Sequence, residues 1–222
     1  MLYKISINPL CDFVTGSARK KASIIKSQKN PSKFMVARYR TAKTRMSRFV
    51  KNGFTYQDIL SGIADLQTKQ CTTDFQKNDR KASIEALRLF LELQFPTNFK
   101  KLKCSFSTDK RKDVEFNNVS ITVSPDLILR WEEDGKKYIG GVKFHISKSN
   151  IFDYEKASFA AGLIHLYLKE SIACNDEIVV DDYCLCVDVF GSKICSTPKN
   201  KKDFNSKLYK ACDEIKSLWE VA

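Results

Sequence analysis

The order of helical and strand-like segments in the second half of the chain constrains the fold most strongly. An amphipathic run, 82–91, is ended by Pro96 and predicts a helix. Runs with alternating or continuous apolar residues predict the strands 102–107, 114–123, 126–131, 138–146, 178–190 and 193–195. Asn150 can cap a long helix from Ile151 to about Glu170, and a last helix is predicted over 203–219. This order predicts an α/β fold with a mixed sheet flanked by helices.

The first 75 residues are basic and mostly helical in pattern, after a short strand-like opening at 2–7. A helix is predicted from Pro31 to Gly53. It carries the basic residues Arg38, Arg40, Lys43, Arg45, Arg48 and Lys51. Helical spacing predicts that Arg38, Arg45 and Arg48 share one flank. We expect residues 1–75 to form a basic helical nucleic-acid-binding region, joined by a polar linker at 71–79 to a core at 76–222.

The overall charge predicts a polyanionic partner. Lys and Arg number 38 against 26 Asp and Glu, which gives a formal net charge of +12. Nucleic acid is the commonest partner of such a chain, although a basic surface can also serve only solubility. There is no apolar run of about 20 residues and no signal-peptide pattern at the first residues. We therefore expect a cytoplasmic protein with no membrane partner.

Eight cysteines are spaced irregularly along the chain. A cytoplasmic protein of this size is expected to keep them as reduced thiols. The late group, Cys184, Cys186 and Cys195, lacks the Cys-x-x-Cys spacing that lets two thiolates bind one ion. No iron–sulfur cluster is expected.

Two short motifs fall on neighbouring predicted strands. Pro125-Asp126 opens one strand, the turn Asp134-Gly135 predicts a hairpin, and Gly141-Val142-Lys143 lies in the next strand before the long helix. This arrangement resembles the PD-(D/E)XK, or restriction-endonuclease-like, nuclease superfamily over roughly residues 80–197. The resemblance implies that Asp126 is a ligand of Mg²⁺ or Mn²⁺ and that Lys143 is the catalytic lysine. Such a metal polarises a phosphodiester and activates its bound water.

One acidic residue of the superfamily pattern is missing, because Gly141 stands where the acid-x-Lys motif has its acid. Some members supply this acid from the following helix, and Glu155 lies twelve residues after Lys143 with Asp153 beside it. Acidic residues are also favoured in the first turn of any helix by its dipole. Glu85 resembles an additional metal ligand on the first core helix, or is a solvated helical residue.

Three functions follow from these patterns. The first is a metal-dependent nuclease that hydrolyses DNA, with the catalytic residues Asp126, Lys143 and Glu155 and the metal ligands Asp126, Glu155 and Glu85. The basic residues Arg38, Lys43, Arg45, Arg48 and Lys51 would bind phosphates. A homodimer would suit cleavage of both strands. The second is a catalytically inactive module of the same fold that binds DNA or a protein. The third is an RNA-binding regulator that uses the 38–51 helix.

Overall fold

A computed structural model describes residues 3–31, 38–109 and 112–222 as a mixed α/β structure. The elements along the chain are β1 Tyr3–Ser6, α1 Ile7–Val14, α2 Ala18–Lys29, α3 Arg40–Lys51, α4 Tyr56–Thr68, α5 Asp74–Glu92, α6 Thr97–Lys101, β2 Ser105–Ser107, β3 Asp113–Phe116, β4 Val119–Thr122, β5 Leu127–Glu133, β6 Lys136–His145, α7 Tyr154–Tyr167, β7 Glu177–Asp188, β8 Lys193–Ser196 and α8 Lys201–Val221. A π-helical turn, Leu168–Ile172, continues α7.

The larger sheet of the described chain has five strands in the order β2-β5-β6-β7-β8. Its centre is the predicted hairpin of β5 and β6, with Leu127 opposite Val142. The turn residues Asp134 and Gly135 both have positive φ, 51° and 71°, as a tight two-residue hairpin turn requires. Strand β7 runs parallel to β6, and α7 makes the crossover between them. The predicted mixed sheet flanked by helices is confirmed.

A smaller sheet has the order β1-β4-β3, with β1 parallel to β4. The prediction of one strand over 114–123 was wrong, because this segment forms the hairpin of β3 and β4. The chain turns at Asn117 and Asn118, which have φ values of 48° and 61°. Asparagine tolerates this left-handed conformation better than most residues, so two adjacent asparagines can replace a glycine turn.

The two faces of the larger sheet bury separate hydrophobic clusters. Leu127, Val142 and Phe144 belong to the cluster that also contains residues of α3, α4 and α5. Ile128 and Cys186 belong to the cluster that contains residues of α1, α7 and α8. Helices α4 and α5 pack together, and β1 pairs with β4, so the packing joins residues on both sides of the division predicted at residues 75 and 76.

Several predicted helix boundaries move. The linker expected at 71–79 is largely helical, because Thr73 and Gln76 form a capping box that starts α5 at Asp74. Helix α7 starts at Tyr154, where the side chain of Asp153, not Asn150, accepts a hydrogen bond from the main-chain N–H of Lys156. Among the described residues, no helix combines the length and apolar composition needed to cross a membrane.

The basic helix predicted from Pro31 is shorter than expected. Residues 32–37 lie outside the described residues, and α3 starts at Arg40. Tyr39 has a left-handed φ of 59°, which is incompatible with a continuous helix through this position. Arg38 therefore precedes the helix instead of lying on it.

Candidate nucleic-acid interface

Asp126 lies one residue before β5, at the end of the sheet. The register of the hairpin places it opposite Lys143, since Leu127 is opposite Val142. Its N–H donates to the carbonyl oxygen of Val142 at 2.8 Å, and its Oδ2 accepts from the N–H of Phe144 at 2.7 Å. Its Oδ1 contacts Nζ of Lys43 at 3.3 Å. The carboxylate is thus held between the backbone of β6 and a cation from α3.

Lys143 is buried, with only 8% of its surface exposed. Its ammonium does not pair with Asp126; it donates to the main-chain carbonyls of Val123 and Ser124, both at 3.0 Å. Burial lowers the pKa of Lys143 to about 8, while the charge of Asp126 opposes this shift. The two predicted residues are therefore neighbours on paired strands. The ammonium of Lys143, however, is hydrogen-bonded to the backbone just before Asp126.

Gly141 lies beneath the helical segment that crosses the sheet. A Cβ atom at this position would lie 2.9 Å from Cγ2 of Ile164 and 3.2 Å from Cδ1 of Leu168. At these distances a side chain would fit only if Ile164 and Leu168 shifted. The position that carries an acid in the superfamily motif is thus filled here by apolar side chains of α7 and the π-helical turn.

The other acidic candidates lie on separate surfaces. Glu155 is exposed and its Oε1 accepts from Nζ of Lys207 on α8 at 2.8 Å. Glu85 is exposed and forms an ion pair with Lys148. No group of three or more His, Cys, Asp or Glu side chains in the described part of the chain is arranged to hold a metal ion. A site for Mg²⁺ or Mn²⁺ normally gathers several oxygen ligands, so one carboxylate surrounded by cations does not fit either ion.

A basic groove of about 520 Å³ opens at Asp126. The term "basic groove" is used below for the hollow lined by Arg38, Arg40, Lys43, Thr44, Ser47, Arg48, Lys51, Thr108 and Asp126. Helix α3 builds it because one helical face carries the buried residues Ala42, Met46, Phe49 and Val50. The opposite face is thereby turned outwards and carries the cations. Five positive side chains meet one carboxylate in this groove.

The groove contains four of the five basic residues predicted to bind nucleic acid, and Arg45 is the exception. Arg45 packs against Gly62 of α4, and its guanidinium donates to Oγ of Ser61 at 3.2 Å and forms an ion pair with Asp65. The prediction that Arg38, Arg45 and Arg48 share a helical flank was wrong. Arg38 precedes α3, and Arg45 bridges α3 and α4.

Arg40 lines the groove but was not among the predicted binding residues. The spacing of 40, 44, 47, 48 and 51 is the spacing of one helical face, so helical periodicity could have identified it. The sequence did not show that α3 begins at Arg40. The predicted phosphate-binding face was therefore drawn through Arg38 and Arg45.

His145, Cys11 and Cys186 are buried and lie outside the basic groove. His145 is buried, and its ring stacks on Phe152 with centroids 3.7 Å apart. Its Nε2 lies 2.7 Å from the carbonyl oxygen of Asn150, and burial lowers the pKa of His145. Cys11 and Cys186 are buried free thiols whose pKa values burial raises. None of these three side chains lines the basic groove.

The interpretation of this site depends on its geometry, because comparison with known proteins adds no relative. No protein-family model matches the sequence, and a search of curated proteins finds no match to it.

Proposed function

We propose that this chain binds nucleic acid, with DNA as the expected form, through the basic groove, and that it is a catalytically inactive module of the PD-(D/E)XK type. The observation that carries the proposal is the convergence of five cations, from Arg38 to Lys51, on one groove. Four of these cations lie on one face of α3 and Arg38 lies beside them, so together they can neutralise the phosphates of a bound strand. Hydroxyl groups of Ser47 and Thr108 add hydrogen-bond donors of the kind that position phosphates, whereas the Thr44 hydroxyl donates to the carbonyl oxygen of Arg40.

The proposal that the module is catalytically inactive rests on the surroundings of the candidate catalytic residues. Lys143 is bonded to two main-chain carbonyls, Gly141 faces apolar side chains, and Glu155 is paired with Lys207. Asp126 has a cation and a backbone N–H as its partners. This carboxylate then has a structural role, since it holds Lys43 in the groove and ties the start of β5 to β6.

The test is the salt dependence of DNA binding by a groove variant and a matched control. In the groove variant, Arg40, Arg48 and Lys51 are replaced by Ala. In the control variant, the exposed lysines Lys199, Lys202 and Lys210, which do not line the groove, are replaced by Ala. Both variants lose the same net charge, so a difference between them reports the position of the charges and not their number.

The groove variant should lower the slope of log K against log salt by up to about 2.7 for duplex DNA. Wild-type protein should then lose about 40-fold more affinity than the variant between 50 and 200 mM salt. The control variant should keep nearly the wild-type slope. Equal slopes for all three proteins, or no binding of DNA or RNA at low salt, would overturn the proposal.

A metal-dependent nuclease is the second candidate, and the order of the elements favours it. Helix α5, a hairpin that brings Asp126 opposite Lys143, the crossover helix α7 and the parallel strand β7 follow in the order expected from the superfamily. Plasmid, linear duplex, single-stranded DNA and RNA should be incubated with Mg²⁺, Mn²⁺ or EDTA. Cleavage that needs the metal and is lost in Asp126→Asn would replace the inactive reading; no cleavage of any substrate supports it.

The expected setting of this function is the cytoplasm, where thiols such as these eight free cysteines stay reduced. RNA is the alternative ligand, because a phosphate groove alone does not distinguish it from DNA. A competition experiment with DNA and RNA of one sequence separates the two, and light scattering tests the expected homodimer.

A further inference from the structure

A second hollow adjoins the basic groove. It is a cleft of about 770 Å³, and the term "aromatic cleft" is used for it below. Arg38 and Lys43 line both the groove and the cleft. A ligand that occupies both hollows therefore passes these two cations. The cleft differs in chemistry from the groove, because it adds aromatic rings and side-chain amides to the cations.

The first turns of α5 supply one wall of the aromatic cleft. Phe75, Asn78, Asp79 and Ala82 all line it, and their spacing places them on one face of that helix. The Phe75 ring is 37% exposed, and the Arg38 guanidinium lies 5.2 Å from its centre. A cation over an exposed ring makes a flat surface on which a nucleobase can stack.

Tyr39 forms a second part of the cleft wall. This residue keeps its left-handed backbone because its N–H donates to Oδ1 of Asp79 on α5 at 3.0 Å. Left-handed φ is rare for a bulky residue and is retained only where neighbours fix it. The Tyr39 ring packs edge-on against Phe190 at 6.2 Å, so this wall of the cleft is preformed.

Two asparagines, Asn8 and Asn78, provide hydrogen-bonding groups in the cleft. Within the described residues, Oδ1 of Asn8 is buried and has no hydrogen-bond partner. Asn78 is exposed, so its side-chain amide is the group that a ligand in the cleft can reach. An amide of this kind can exchange hydrogen bonds with the ring N–H, amino and carbonyl groups on the edges of nucleobases.

From these features we infer that the aromatic cleft receives an unpaired nucleobase of a single strand whose phosphates lie in the basic groove. This inference rests on the proposed function and deepens it by naming the class of nucleic acid. The volume of the cleft lies within the roughly 300–1,000 Å³ typical of small-ligand sites. A base inside a duplex cannot enter, because its faces are stacked and its edge is paired.

The test compares three ligands of about 12 nucleotides, a length within the site sizes of single-strand binding modules. They are oligo(dT), an abasic strand with the same number of phosphates, and a duplex. Their binding to wild-type protein, Phe75→Ala and a control, Tyr154→Ala, is measured by fluorescence anisotropy at one salt concentration. Tyr154 is an exposed aromatic residue on α7 that does not line the cleft.

Phe75→Ala should weaken oligo(dT) binding by about 5- to 150-fold, the effect of losing one base–aromatic stack. It should leave the abasic strand and the duplex within about twofold of the wild-type affinity. Tyr154→Ala should change none of the three. Wild-type protein that binds the abasic strand as tightly as oligo(dT), or a Phe75→Ala effect equal for all three ligands, would overturn the inference.

Photocrosslinking to a 4-thiothymidine strand gives a second measurement that needs no substitution. Crosslinks should map to the peptides containing Tyr39 or Phe75, and crosslinks found only elsewhere would contradict the inference. These outcomes differ from failure of the proposed function, in which no nucleic acid binds or the groove variant keeps the wild-type salt slope. If the protein binds duplex DNA tightly and in a salt-dependent way, and Phe75→Ala has no effect, the proposed function holds and the inference about the cleft fails.

Discussion

Replacement of Lys143 by Met should remove a pH dependence of stability that this lysine causes. Burial lowers the pKa of Lys143 from 10.5 to about 8. A difference of this size corresponds to about 3 kcal/mol of the free energy of unfolding. Below pH 8 the folded and unfolded chains both hold the proton, so the folded protein bears the whole cost of the buried charge. Between pH 8 and 10.5 the unfolded chain binds a proton that the folded chain has released, so stability rises with pH.

The quantity to measure is the difference in unfolding free energy between wild-type protein and Lys143→Met. It should shift in favour of the wild type by about 2 kcal/mol between pH 7 and 9.5. The absolute value at pH 7 is less informative, because the carbonyls of Val123 and Ser124 lose their donor in the variant. Each unpaired carbonyl costs about 1–3 kcal/mol, which offsets the removed charge.

The assay is urea unfolding followed by tryptophan fluorescence under reducing conditions at several pH values in this range. Lys137→Met is the matched control, because Lys137 is exposed and its hydrogen bond to Asp176 raises the pKa of Lys137 above the window. The control should follow the wild-type curve across the whole range. If the stability curves of wild-type protein and Lys143→Met stay parallel, Lys143 is not a buried cation with a lowered pKa.

Three further predictions concern positions that the sequence singled out or misjudged. Gly141→Glu should destabilise the fold by about 3 kcal/mol or more without creating nuclease activity, because its side chain would meet Ile164; a variant as stable as wild type in urea would contradict this. Glu155→Gln should change DNA affinity less than twofold and stability by less than about 1 kcal/mol, since its pair with Lys207 is exposed; loss of a metal-dependent cleavage in this variant would restore its catalytic role. Arg45→Ala should lower the thermal midpoint but leave the salt slope unchanged, and a slope reduced by about 0.9 would place Arg45 at the phosphates.

The larger sheet shows which parts of the fold could be predicted. The hairpin of β5 and β6 was found because Asp134 and Gly135 are residues that tolerate positive φ, and this preference is local. The β3–β4 turn was missed, although Asn117-Asn118 carries a weaker signal of the same kind. The pairing of β1 with β4 joins residues more than 110 positions apart, and no local pattern reports such a partner.

The candidate site divides in the same way. The sequence identified the cations of the basic groove, except Arg40, because net charge and helical spacing are properties of the chain itself. It misplaced Arg45, because only the packing of α4 against α3 at Gly62 places this side chain between the two helices. It also expected Glu155 near Asp126, whereas α8 brings Lys207 to Glu155.

The sequence by itself determined the alternation of helices and strands, the hairpin at the centre of the sheet and the basic character of α3. These depend on backbone preferences and on periodicity within a few residues. Only the tertiary structure decided that Gly141 is closed by Ile164, that Lys143 is bonded to the backbone, and that Phe75 and Tyr39 line the same cleft. The physical reason is that contacts between distant segments depend on how whole elements pack, and packing selects among faces that the sequence leaves equivalent.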